Sequence, residues 1–197
     1  DTSDDPVSAN FDGVLIRDGY IQSATVCIPV MDSDGDATCT GATYSTTTNS
    51  DGSFSLPVDE GVSGMIYAED GFNVTTSDED AFSMVIEDPV TDQNFVISPL
   101  STLLYLDSRF SFTSLKDKLG LDSNFMIRFD DDPYLSINDA SLNKAAVVNT
   151  QLLIIYETLS ILQAQSGKTG ELTAVDEINN AIYNRDASTE TSLGDTH

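Results

Sequence analysis

The stretch N-F-V-I-S-P-L-S-T-L-L (residues 94–104) divides the chain into two kinds of structure. Its first residues are rich in Val, Ile and Phe, which favour strands. Ser98 is a preferred helix N-cap, and Pro99 is tolerated at the first helical position because its missing N–H is not needed there. The apolar residues that follow are spaced as on one face of a helix: Leu100, Leu103 and Leu104. The sequence therefore predicts strands before this point and helices after it.

The part before the boundary, residues 13–97, is predicted to form a β-domain. Short runs rich in Val, Ile, Thr and Phe recur about every ten residues and are separated by D-G, E-G and D-P turns. This pattern is typical of an antiparallel β-sandwich. Residues 1–12 are polar and acidic, and we expect them to form an N-terminal segment outside the domain.

The part after the boundary is predicted to form a small helical domain over residues 98–185, followed by a polar tail over residues 186–197. In its longest stretch without Gly or Pro, Val148 and Leu152 lie on one apolar face at helical spacing. The fold class expected for the whole chain is therefore α+β, an N-terminal antiparallel β-sandwich followed by a small α-helical domain. The further helices predicted are one ending at Gly120, one over residues 139–165 and one over residues 172–183.

The charge of the chain limits its partners. Among 197 residues there are 33 acidic and 8 basic side chains, for a formal net charge of −25. Nucleic-acid phosphates and anionic membranes both require Lys and Arg, so neither is an expected partner. No run of eighteen apolar residues is present, so membrane insertion is not expected either. The acids are concentrated in residues 1–97, where Arg17 is the single base. Such a balance is consistent with cation binding, or with solubility in a saline exterior.

The two cysteines, Cys27 and Cys39, frame one loop. In an exported protein, such a pair is best interpreted as a disulfide. A Zn²⁺ site is less favoured because His197, at the end of the sequence, is the single histidine. A redox pair is also less favoured, since the chain has no C-x-x-C motif.

The loop between the cysteines is a candidate calcium site. Its three aspartates stand two apart, and hard carboxylate oxygens at that spacing can converge on Ca²⁺. Unlike an EF-hand, the loop has no flanking helices and no glutamate at its twelfth position, so another acid would have to complete the ligand shell. The alternative is a solvated acidic turn. The predicted ligands are Asp32, Asp34, Asp36, the carbonyl of Thr38 and, from a neighbouring turn, Asp51, with Asp12 as a further candidate; we call residues 32–38 the aspartate loop.

Catalysis finds little support in the residues. With its single histidine at position 197, the chain cannot build a Ser-His or Cys-His arrangement within its body. No Gly-rich phosphate loop is present. Pairs of carboxylates abound, but in so acidic a chain they do not indicate glycosidase chemistry. We therefore expect a protein that is not an enzyme.

Several stretches resemble modules of bacterial surface proteins and lipoproteins. These modules have a prealbumin-like sandwich of the Cna-B or carboxypeptidase-regulatory type, followed by a helical segment. The resemblance implies a secreted or cell-surface structural or adhesive module, with a cation in the aspartate loop. The stretches are D-G-Y-I-Q-S-A-T-V-C-I (18–28), D-S-D-G-D-A-T-C (32–39), T-T-T-N-S-D-G-S-F-S-L (46–56) and V-I-S-P-L-S-T-L-L (96–104).

Two kinds of partner remain open for such a module. Edge strands leave room for self-association into a filament by strand addition, or for contact with other domains of a longer surface protein. The rival hypothesis is an accessory domain of a secreted enzyme that binds a polysaccharide or a peptide. An exposed aromatic row would favour that rival, yet the chain has no Trp and the tyrosines of the β-domain are Tyr20, Tyr44 and Tyr67.

Overall fold

The protein folds as two compact units, Asp1–Ser101 and Thr102–His197. A computed structural model describes residues 8–77, 83–121, 146–148, 150–152, 154, 178 and 180–184. The strands are β1 (Ser8–Leu15), β2 (Ile21–Gln22), β3 (Thr25–Cys27), β4 (Val30–Met31), β5 (Ala37–Thr38), β6 (Ser45–Thr47), β7 (Ser53–Asp59), β8 (Ile66–Glu69), β9 (Phe72–Asn73), β10 (Met84–Ile86) and β11 (Asn94–Ile97). The helices with complete boundaries are α1 (Pro99–Leu106) and α2 (Phe112–Leu119).

The first sheet has the strand order β11-β1-β7, with the first of the described strands in the middle. Strand β7 pairs with β1 antiparallel, whereas β11 pairs with it in parallel. On β7, Phe54, Leu56 and Val58 are buried and alternate with exposed residues, so one face of this strand is apolar. Pro57 fits because β7 lies at the sheet edge, where an N–H donor is not required on the open side.

The second sheet has the order β10-β8-β3-β6, and its pairs are antiparallel. Val26, Ile66 and Met84 from this sheet share one buried cluster with the apolar face of the first sheet. Gly13 of β1 lets the two rings of Phe54 and Phe95 meet edge to face, because a Cβ there would lie 2.8 Å from both the Phe54 ring and the Phe95 carbonyl. Two short ladders, β2–β9 and β4–β5, lie outside these sheets.

Strand β1 begins at Ser8, five residues before the predicted start of the β-domain at residue 13. The expected polar segment over residues 1–12 was therefore wrong for its last five residues. This polar stretch belongs to a strand because its side chains alternate between the two faces: Phe11 faces the core, whereas its polar neighbours Asn10 and Asp12 face outward. The backbone of this part is also paired, from Ser8 opposite Asp59 onward.

Helix α1 has the start signal and helix α2 the stop signal that the sequence predicted. Helix α1 begins at Pro99 and is capped reciprocally: the Ser98 Oγ accepts from the Ser101 N–H at 3.3 Å, and the Ser101 Oγ accepts from the Ser98 N–H at 2.9 Å. Helix α2 has the same device between Ser111 and Ser114. It ends at Gly120, which has the left-handed φ of 67° that the sequence predicted for a glycine cap.

In the second unit, the described residues 146–148, 150–152, 154, 178 and 180–183 are helical. Val148 and Leu152 are buried, as the predicted apolar face requires. Most of the predicted helices 139–165 and 172–183, and the polar tail, lie outside the described residues. The described part of the chain is thus a β-rich α+β structure, in which the two helices with complete boundaries are short. Within the described part, no helix is long and apolar enough to cross a membrane.

Candidate functional site

The predicted disulfide between Cys27 and Cys39 is present. Cys27 ends β3 and Cys39 directly follows β5, so the two Cα atoms lie 5.6 Å apart, within the range that a disulfide bridges. The S–S distance is 2.01 Å, and both cysteines are buried. The Cys39 N–H also donates to the Glu69 carboxylate on β8 at 3.1 Å. The base of the loop is therefore joined to two neighbouring strands of the second sheet.

The aspartate loop is closed at its tip by hydrogen bonds of its own. The Asp32 Oδ1 accepts from the backbone N–H groups of Asp34 and Asp36, each at 2.9 Å, which makes an Asx-type turn. The Asp36 carbonyl accepts from the Asp32 N–H at 2.9 Å, and Gly35 has the positive φ of 89° that this bend needs. The amides of Asp36 and then Asp34 lower the pKa of Asp32, since they stabilise its charged form.

The predicted ligands do not come together as a ready metal site. Asp34 and Asp36 are exposed, and Thr38 lies in β5, where its Oγ1 accepts from the Thr40 N–H. Asp51 lies on the turn before β7, and its Oδ1 accepts from the N–H and hydroxyl of Ser53, which lower its pKa. In the residues that the structure describes, no group of three or more His, Cys, Asp or Glu side chains is placed to hold a metal ion.

Asp12, the further candidate ligand, lies in the middle of β1. Its neighbours across the sheet are Asn94 on β11 and Ser55 on β7. Asp12 therefore belongs to the first sheet, whereas the aspartate loop is joined to the second sheet. The described conformation of the aspartate loop does not fit a preformed calcium site, because the Asp32 carboxylate already accepts hydrogen bonds from the backbone amides of the turn.

Asn73, which the sequence did not single out as a structural residue, is a buried polar centre beside the core. Its Nδ2 donates to the Asp18 carboxylate, and its Oδ1 accepts from the N–H groups of Thr75 and Thr76 at 2.8 and 3.2 Å. Asn73 thus joins the turn after β1 to the turn after β9. In the sequence, Asn73 is marked only by the formal glycosylation sequon N-V-T (residues 73–75). The side-chain amide to which a glycan would be attached is already hydrogen-bonded within the fold.

A second polar cluster stabilises the helical unit. The Arg109 Nε lies 2.9 and 3.0 Å from the two Asp107 carboxylate oxygens, and its Nη2 donates to Asn180 at 3.0 Å. The guanidinium stacks on the Tyr183 ring at 4.7 Å, and Phe110 contacts the same ring edge to face. The hydrogen bond from Arg109 lowers the pKa of Asp107. The contacts of Arg109 and Phe110 with Asn180 and Tyr183 join residues far apart in sequence, so no local pattern indicates them.

Comparison with protein-family models, with characterised proteins and with solved structures found no match for this chain. The resemblance to bacterial surface modules therefore depends on the sequence motifs alone, and it enters below as part of a proposal.

Proposed function

We propose that the chain is a non-enzymatic structural or adhesive module of a bacterial cell-surface protein, lipoprotein or filament. The observation that carries the proposal is the buried disulfide between Cys27 and Cys39. Disulfides of this kind persist in oxidising compartments outside the cytosol. The strong negative charge supports the same location, because it keeps an exposed protein soluble and separate from nucleic acid and anionic membranes.

The fold part of the proposal is a prealbumin-like β-sandwich for the first unit. Two features support it: the two sheets contribute to one core, and the first strand lies between β7 and β11. The side chains of Tyr20, Tyr44 and Tyr67 are each half-buried, so they offer no freely exposed aromatic row. This favours a structural or adhesive module over an accessory domain that binds polysaccharide.

Calcium binding at the aspartate loop stays a prediction from the sequence. In the described conformation the Asp32 carboxylate accepts from backbone amides, so binding requires Asp34 and Asp36 to turn their carboxylates toward it. An affinity in the range of extracellular modules, about 0.1 to 1 mM, is what such a rearranging site would give. The proposed location does not depend on this metal.

The experiment that tests the proposal is performed on intact cells of the native source. External protease should remove the protein from the cells, and thiols should react with maleimide only after reduction. A protein with free thiols in the soluble cytosolic fraction would contradict the proposal. A cytosolic protein that remains intact during surface proteolysis serves as the control for cell lysis.

A further inference from the structure

The hairpin formed by β4 and β5 extends from the body of the first unit. Val30 and Met31 are consecutive residues of β4, so their side chains point to opposite faces of the strand. Both are exposed, with 38% and 61% of their surface accessible, and the exposure continues without a break through Asp36. Neither face of β4 is therefore covered by the core, although both side chains are apolar.

The base of this hairpin is held at fixed positions. The disulfide joins Cys39 to the end of β3, and the Cys39 N–H bonds to Glu69 on β8. Strand β5 lies beside β8, so β4 is the outer strand of the pair. A loop held in this way loses little conformational entropy when it binds a partner.

We propose that the hairpin over residues 30–38 is a docking surface for a protein partner with an apolar depression bordered by Lys and Arg side chains. This inference rests on the proposed function, because it assigns the adhesive contact of the module to one place. The charge of the hairpin argues for a partner with a basic border. The exposed turn holds three aspartates, and no Lys or Arg lies between Cys27 and Cys39. Complementary charges would raise the association rate of the partner, while apolar contacts would lower its dissociation rate.

Met31 is the central apolar contact in this proposal. It is the most exposed of the large apolar side chains in the described part of the chain. An unbranched thioether adapts to depressions of different shape, which suits a contact residue at the edge of a protein. Val30 covers the opposite face of the strand, so a partner that holds both must receive the hairpin into a groove.

The test measures the apolar part of binding at constant charge. The full chain is titrated in EDTA with a fluorescent peptide of alternating lysine and leucine, and with a matched peptide of alternating lysine and serine. We expect about tenfold tighter binding of the leucine peptide, because it alone can cover apolar surface. The double variant Val30→Thr, Met31→Gln, which has the wild-type charge, should lose most of this preference. The control Val90→Thr alters an equally exposed valine outside the hairpin and should retain it.

Backbone amide NMR shifts locate the contact, and they should change at residues 30–36 in the wild type. Equal binding of the two peptides, or an unchanged preference in the double variant, would overturn the docking surface. So would shifts confined to other parts of the chain. A protein that fails this test but is released by external protease with its disulfide intact would retain the proposed function and lose only the docking surface.

Discussion

Reduction of the disulfide is expected to destabilise the first unit by about 3 kcal/mol. Cys27 and Cys39 are 12 positions apart, and closing a loop of that size in the unfolded chain removes entropy worth about 3 kcal/mol at 25 °C. For a domain of this size, that free energy corresponds to a melting temperature lower by roughly 12 to 24 °C. Reduction is the cleanest perturbation, because it changes no residue: it adds two hydrogens, and the two sulfurs need only separate from bonding distance to van der Waals contact.

The assay is thermal and guanidinium unfolding, followed by circular dichroism, of the oxidised protein and of the protein in reductant. Thiol counting confirms that reduction is complete before each experiment. A variant with both cysteines replaced by alanine is the matched control, and reductant should not change its melting temperature. Its amides over residues 30–38 should exchange with solvent faster than those of the oxidised wild type, since the base of the hairpin is no longer closed.

Two results would refute this reasoning. One is a fully reduced protein that melts within about 4 °C of the oxidised form, which corresponds to less than about 1 kcal/mol. The other is an equal response of the alanine variant to reductant, which would place the effect of the reductant outside the disulfide.

Calcium at 10 mM should stabilise the protein by about 1.4 kcal/mol if the aspartate loop binds it with a dissociation constant near 1 mM. Melting with Mg²⁺ at the same concentration controls for screening of the acidic surface, and a shift that persists in the variant Asp34→Asn, Asp36→Asn would exclude the loop. Gly52→Ala should cost more stability than Gly35→Ala in chemical unfolding: both positions have positive φ, but a Cβ at Gly52 would lie 2.6 Å from a backbone carbonyl of β1, whereas Gly35 faces open space. Equal losses of stability would show that the positive φ alone, and not the close contact at Gly52, sets the cost of the substitution. The pKa of Asp107 is lowered in the folded protein, so its charged carboxylate stabilises the folded state above the ordinary aspartate pKa. This stabilisation is lost as the pH falls through the lower folded-state pKa. The stability difference between wild type and Asp107→Asn should therefore shrink on acidification below about pH 4, and a difference independent of pH would contradict the charged pair.

The features that the sequence predicted correctly are those encoded by neighbouring residues. Ser98 and Pro99 start α1, and Gly120 ends α2, because caps depend on local backbone chemistry. The disulfide was also predictable, because Cys27 and Cys39 had no competing cysteine.

The remaining features depend on contacts between distant segments. The parallel register of β1 and β11 pairs residues about eighty positions apart, and alternation within each strand does not specify its neighbour. The carboxylates of Asp18 and Glu69 have the same local signature as the many solvated acids around them. Their roles at Asn73 and Cys39 become visible only when the turns are brought together. For the aspartate loop, spacing indicated which oxygens could converge, but the amides of the turn compete for one of them.

The parallel pairing of β1 with β11 has a mechanical consequence. In a parallel pair, the chain enters the first strand at one end and leaves the last strand at the other. Tension applied through the two ends of the first unit therefore pulls these strands along their length in opposite directions. The hydrogen bonds from Asp12 opposite Asn94 to Leu15 opposite Ile97 then share the load in shear instead of opening one after another. A unit built this way resists being stretched between two attachment points.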